Sequence, residues 1–186
     1  DVVGLLDALN IEQVHFVGLS MGGFSAQLLG VNYPDRVLSL ALCDTACVMP
    51  TEKLWNDRIA DARSGGTEAL ADATLGRWFT APYHDSNPEE INLVRTMINA
   101  SNVTGYIRCA EAIRDMRQCD LLDQIKTPTI VIVGESDPAC PVSSAKVLHE
   151  GIDGSELVII KESAHLPNIQ KRDEFNSILI GFLNKQ

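Results

Sequence analysis

Gly18-Leu19-Ser20-Met21-Gly22-Gly23 follows the short stretch His15-Phe16-Val17 and leads into a helical pattern through Phe24, Leu28 and Leu29 that runs to Pro34. A Gly-x-Ser-x-Gly segment between a strand and a helix is a tight turn that strains the serine backbone and exposes its hydroxyl. The glycines on either side leave room for that turn. Working outward, residues 37–43 form a continuous apolar run, the kind of strand buried on both faces in a parallel sheet. Strand, helix and strand make a βαβ unit with an expected right-handed crossover. Upstream, Val2, Leu5, Leu6 and Leu9 fall at i, i+3, i+4 and i+7, which is one helix face ended by Asn10.

From residue 46 to about 120 the alternation of strands stops. Helical patterns cover 53–62, 67–75, 88–100 and 103–116, with turn chemistry at Gly65-Gly66 and Ser86-Asn87-Pro88. The α/β rhythm returns with a strand at 129–133, a helix at 142–150 and a strand at 156–160. A last helix shows Phe175, Ile178, Leu179 and Phe182 on one face. The expected fold is α/β, with a mostly parallel sheet of about four strands. Three segments are expected: a core with the nucleophile turn at 1–46, a helical cap at 47–120, and a core with the acid and histidine at 121–186.

A serine hydroxyl becomes a nucleophile only when a base takes its proton and a third group orients that base. In this fold the chain order is serine, acid, histidine. Asp137 follows the strand at 129–133 and His165 follows the strand at 156–160, on the sheet edge that carries ligands and catalysis in open α/β sheets. Asp44, after the strand at 37–43, is the alternative acid. The four histidines allow elimination. His15 starts a strand at the wrong end of the sheet, His149 is read as a solvated mid-helix residue, and His84 as a surface loop residue. Ser20, Asp137 and His165 are therefore the expected catalytic residues, with the Met21 N–H as one oxyanion donor at a helix N-terminus.

The chain has 186 residues, 45% of them apolar, and a net charge of −10. That charge excludes a nucleic-acid partner, which requires a basic face. The apolar runs fall well short of the roughly 20 residues that span a bilayer, so no membrane partner is expected. Five cysteines without a C-x-x-C pair or metal spacing are read as reduced thiols, and the expected location is cytoplasmic. Asp1 opens inside an amphipathic pattern, so the chain is expected to be a fragment that is neither stable nor competent by itself.

Beyond the turn at Ser20, the stretches Leu42-Cys43-Asp44-Thr45-Ala46, Arg77-Trp78-Phe79-Thr80, Gly105-Tyr106, Ala112-Ile113-Arg114-Asp115, Asp137-Pro138-Ala139 and Ala164-His165-Leu166 resemble the 3-oxoadipate enol-lactonases of the α/β-hydrolase superfamily. The resemblance covers essentially the whole chain, and the stretches at 77–80 and 105–115 are its selective part. It implies a helical cap over the site, neither metal nor organic cofactor, and hydrolysis of 3-oxoadipate enol-lactone in aromatic degradation. It also implies a second oxyanion donor from a loop of the family that has no counterpart in this chain. The small-molecule substrate would carry a carboxylate, so an acidic protein needs a local cation. Arg77 and Arg114 are the candidates, with Trp78 as an apolar wall. Other esterases, perhydrolases and C–C bond hydrolases share the turn and the triad, and a hydrolase-fold ligand receptor is the non-enzyme alternative.

Overall fold

The computed structural model describes residues 1–49 and 51–186. Helix α1 (Val2–Ala8) precedes strand β1 (Val14–Leu19), and α2 (Met21–Asn32) joins it to β2 (Val37–Cys43). Five helices follow: α3 (Glu52–Gly65), α4 (Ala71–Trp78), α5 (Ala81–Ser86), α6 (Pro88–Asn99) and α7 (Val103–Asp115). Strand β3 (Thr129–Gly134), α8 (Val142–Gly151), β4 (Glu156–Ile160), α9 (Pro167–Gln170) and α10 (Arg172–Leu183) complete the chain. The strands form one parallel sheet in the order β1-β2-β3-β4. The α/β fold with a helical cap is as the sequence pattern requires.

Alternating side chains build a layer on each face of the sheet. Leu40, Leu42, Val131 and Val133 pack with Ala26 and Leu29 of α2 and with Ala145 and Leu148 of α8. Ala41, Cys43, Ile130 and Ile132 pack on the other face with Phe175 and Phe182 of α10. Strand β3 is buried throughout, which explains its unbroken apolar run. Among the described residues strand β1 pairs only with β2, and Val17 on it is 42% exposed.

In the cap, Trp55 and Ile59 of α3 meet Ala110 of α7, while Leu75 and Phe79 meet Ile91 and Val94 of α6 and Leu166 of the core. Two details depart from the periodicity reading. The pattern at 67–75 divides into a 3₁₀ turn at Glu68–Leu70 and helix α4, which runs on to Trp78. Helix α5 is too short to show a period, and it places His84 in a helix rather than a loop. Helix α6 starts as its sequence predicts, with Pro88 in the first turn followed by Glu89 and Glu90, favourable at the positive end of the helix dipole.

The expectation of reduced thiols throughout is corrected by a disulfide between Cys47 and Cys119. The two cysteines lie 72 residues apart, so no local spacing announces them. They meet because the chain returns from the cap beside the place where it left. Val48 bridges Arg117 antiparallel, and the Gln118 N–H donates to the Cys47 carbonyl at 2.8 Å. Cys43, Cys109 and Cys140 are free. Closing a loop of that length constrains the unfolded chain strongly, and such bridges contribute about 2–4 kcal/mol. Cys119→Ser, or reduction of the native protein, should therefore lower the free energy of unfolding by a comparable amount, and the melting temperature with it. Identical melting curves with and without reductant would show that the bridge does not form.

Candidate active site

Parallel strands all end on the same side, so the residues just past β1, β2, β3 and β4 are brought to one edge. Ser20 follows β1 with φ 54° and ψ −113°, a strained backbone for a non-glycine residue. The strain is held from both sides. The Ser20 N–H donates to the Cys43 carbonyl at 2.9 Å, and the Thr45 hydroxyl donates to the Ser20 carbonyl at 2.7 Å. A side chain at Gly18 would collide with the Gly22 carbonyl, so Gly18 is the glycine the turn demands. Gly22 has open space where a Cβ would stand, so its place in the motif owes nothing to crowding here. Met21 is the first residue of α2, where the backbone N–H has no intrahelical acceptor.

Asp137 and His165 come together behind this turn. Asp137 Oδ2 lies 2.8 Å from His165 Nδ1, and both residues are 3% exposed. Asp137 Oδ1 accepts from the N–H groups of Ala139 and Cys140 at 2.7 and 3.1 Å, which fixes the carboxylate plane. The loop carrying His165 passes so close to the end of β3 that a Cβ on Gly134 would strike the Ala164 carbonyl. Gln170 of α9 ties the same loop to the cap: its amide donates to the Glu162 carbonyl at 2.9 Å and to the Thr80 hydroxyl, and its oxygen accepts from the Ala164 N–H. No motif pointed to Gln170, because its role arises only where α9 meets the end of α4.

Asp44 does not reach His165. It is fully buried, its backbone is at φ 44°, and its Oδ1 accepts from the Gly134 N–H at 2.8 Å. The other histidines stand apart. His15 lies 2.8 Å from the Ser39 hydroxyl and His84 lies beside Asp85. His149 is in the last turn of α8, half-buried and bonded to Ser155, rather than solvated mid-helix.

Ser20, Met21 and His165 open into a cavity of about 480 Å³ walled by the cap. Its apolar lining includes Leu19, Met49, Trp55, Trp78, Ile113 and Leu166. The Trp78 ring stacks 6.2 Å from the His165 ring. Arg77 lines the cavity as expected. Arg114 is corrected: it is absent from the lining, and its guanidinium is held by both Asp115 oxygens at 2.7 and 2.9 Å and by Asn56. The second guanidinium in the cavity belongs to Arg58, whose planar group lies 4.7 Å over the Trp55 ring. An arginine one turn after Trp55, beside Ile59 on the packed face of α3, was the signal for it.

Among the described residues neither Arg58 nor Arg77 forms an ion pair, and Arg58 Nε is buried without a partner. Arg77 Nη2 donates only to Thr74, at 3.2 Å. Burial pushes the pKa of both guanidiniums down, and Arg58 pushes that of Arg77 down further by repulsion. Burial raises the Tyr106 phenol, which lines the same cavity. The site therefore holds two uncompensated cations in a largely apolar chamber.

Asp137, Cys140 and His165 place possible metal-ligand atoms within 4.8 Å of one another. The donor chemistry does not suit a metal. The Asp137 oxygens already accept three hydrogen bonds, and burial followed by the nearby Asp137 charge raises the Cys140 thiol pKa, disfavouring the thiolate a metal needs. A carboxylate holding an imidazole that shares a chamber with a serine on a strained turn is instead the layout of nucleophile, base and orienting acid.

The chain is similar to several known proteins. 3-Oxoadipate enol-lactonase 2 of Acinetobacter baylyi is 31% identical over 176 residues, covering 95% of this chain and 66% of that protein. The crystal structure of the enol-lactonase from Burkholderia xenovorans superimposes with a TM-score of 0.97 at 35% identity, covering 99% of this chain and 70% of that one. A 2-hydroxy-6-oxononadienedioate/2-hydroxy-6-oxononatrienedioate hydrolase of Escherichia coli is 27% identical over 206 residues, covering 96% of this chain and 65% of that protein. The chain thus spans about two thirds of the length of the curated relatives it matches. The model of the alpha/beta hydrolase fold family matches residues 1–172, and the chain belongs to that family.

Proposed function

We propose that the protein hydrolyses a small carboxylate-bearing lactone or ester, 3-oxoadipate enol-lactone being the substrate that fits best, with Ser20 as nucleophile, His165 as base and Asp137 as the orienting acid. The observation that carries this reading is the pair of unpaired guanidiniums, Arg58 and Arg77, in the chamber that Ser20 and His165 share. A neutral substrate would leave two partly buried like charges uncompensated. A carboxylate would offset both, and arginine binds carboxylates in bidentate geometry. The similarity to two enol-lactonases supports the lactone among such substrates.

His165, held through Nδ1 by Asp137, takes the Ser20 proton on its other nitrogen as the oxygen attacks the lactone carbonyl. The negative charge that develops on the carbonyl oxygen is met by the Met21 N–H at the start of α2, where one such donor contributes about 10²–10³ in rate. The ring C–O bond breaks and the leaving enol oxygen takes the proton from His165. The enol then relaxes to the ketone. Water, deprotonated by His165, cleaves the acyl-serine ester and frees Ser20.

Ser20→Ala should lower kcat by about 10⁴-fold, and a serine-directed phosphonate should label Ser20 alone. Labelling at another residue with activity retained would sink the nucleophile assignment. Arg77→Met and Arg58→Met should each raise KM for the lactone acid while sparing a neutral ester, whereas Arg114→Met should change neither. Equal effects on both substrates would remove the carboxylate from the reading.

A further inference from the structure

Asp44 is an acid with no task in that reaction, yet it is the fully buried residue at the end of β2, set among the strand ends that carry the site. Its backbone occupies the left-handed region at φ 44°, fastened by its N–H to the Ile132 carbonyl at 2.8 Å. One carboxyl oxygen accepts from the Gly134 N–H, while Oδ2 is buried with no donor among the described residues. Asp137 is its buried acidic neighbour: Gly134, whose N–H donates to Asp44, in turn accepts from the Asp137 N–H at 3.1 Å, and the Asp137 charge acts on the Asp44 carboxyl. Two neighbouring carboxyls out of water resist ionising together, so one holds a proton.

The neighbours decide which. Asp137 receives three hydrogen bonds, from two amide N–H groups and the His165 ring, all of which favour its anion. Asp44 receives one. The titratable groups facing Asp44 are Asp137, Cys43 beside it in the chain, and Cys140 in the loop after β3; His165 lies beyond Asp137. Both thiols are buried and raised in pKa, hence neutral, and no cation pairs with Asp44 among the described residues. Burial first, and then the Asp137 charge, push the Asp44 carboxyl up to about 9, against the lowering by the Gly134 N–H.

We propose that Asp44 is a neutral carboxylic acid that donates the hydrogen on its free oxygen to Asp137, a positioning residue that holds the orienting carboxylate in the plane where it meets His165. The proposal rests on the reading of Ser20, Asp137 and His165 given above. Its consequence is a proton that must stay on Asp44 for the site to work. As pH rises through about 9 that proton leaves, the two carboxylates repel, and the base loses its alignment.

The sign of the stability effect is fixed as well. The folded protein keeps a proton on Asp44 that the unfolded chain releases near pH 4. Stability from this group is full below that pH and is lost steadily as pH rises toward about 9. Asn at this position keeps the Gly134 contact and can donate an N–H to Asp137, but it cannot ionise.

The test compares Asp44→Asn, Asp44→Ala and the native protein by denaturant unfolding across pH 5–9.5 and by the pH profile of kcat/KM for a neutral ester. Asp44→Asn should gain stability relative to the native protein as pH rises, and should recover most of a rate lost at least about 10-fold in Asp44→Ala. The native alkaline limb near pH 9 should disappear in Asp44→Asn. A stability difference that does not change with pH would overturn the neutral acid. A rate loss in Asp44→Asn as deep as that of Asp137→Asn would also overturn it, by making Asp44 the ionised orienting group. Unfolding reads the proton on Asp44 without any turnover, so failure of the Ser20 assignment leaves that arm intact and is seen separately in Ser20→Ala.

Discussion

The rest of the site depends on the ladder between β1 and β2. Pairing of Gly18 with Leu42 and of Leu19 with Cys43 brings the two strands to an end together, so that the next residues, Ser20 and Asp44, both leave the sheet at φ near 50°. A left-handed residue at a strand end costs on the order of 1–3 kcal/mol, and here two stand side by side. Each is tied into the neighbouring strand by its own N–H, Ser20 to Cys43 and Asp44 to Ile132. The strain persists because the sheet over-determines it. A slip of one residue would turn every β2 side chain to the opposite face and exchange the two apolar layers.

Given that frame, chemistry is assigned by counting donors. Asp44 and Asp137 have the same functional group and nearly the same burial, but one N–H reaches the first while two N–H groups and an imidazole reach the second. The protein as a whole carries −10, yet its chamber presents two arginines and no acid along its lining. Net charge therefore says little about what the site accepts. The local field in the chamber is of opposite sign to the charge of the whole chain.

Much of this was legible in the chain. Continuous apolar runs gave β2 and β3, the i, i+3, i+4 pattern gave α1 and α10, and the order of strand ends placed Ser20, Asp137 and His165. What escaped was whatever depends on two distant segments meeting. Cys47 and Cys119 carry no signature because only the chain's return from the cap makes them neighbours. Arg114 lay in a stretch shared with the resembling family, but Asp115 beside it supplies two oxygens to its guanidinium and keeps it on the surface. Arg58 sits among residues that read as ordinary helix packing, so its place one turn after Trp55 is a weak signal, and the lack of an acid partner among the described residues is what singles it out.

The two halves of the site are built on different physics. The residues proposed for bond breaking stand on strand ends, fixed by backbone hydrogen bonds and by glycines such as Gly134 that allow loops to pass in contact. The residues proposed for substrate charge stand on α3 and α4, held by side-chain packing through Trp55, Ile59 and Leu75. Packing of that kind tolerates exchange of one apolar residue for another of similar volume far better than a strained turn tolerates any side chain at Gly18. Changes in the cap can therefore alter which acid or ester enters while the strand-end geometry stays as it is. Gln170 marks the seam between the halves: one side chain bonds both the loop of His165 and Thr80 at the end of α4. That amide, the Trp78 ring stacked on His165, the Leu166 N–H that donates to the Trp78 carbonyl and the packing of Leu75 and Phe79 on Leu166 are the links through which a shift of the cap would reach the base.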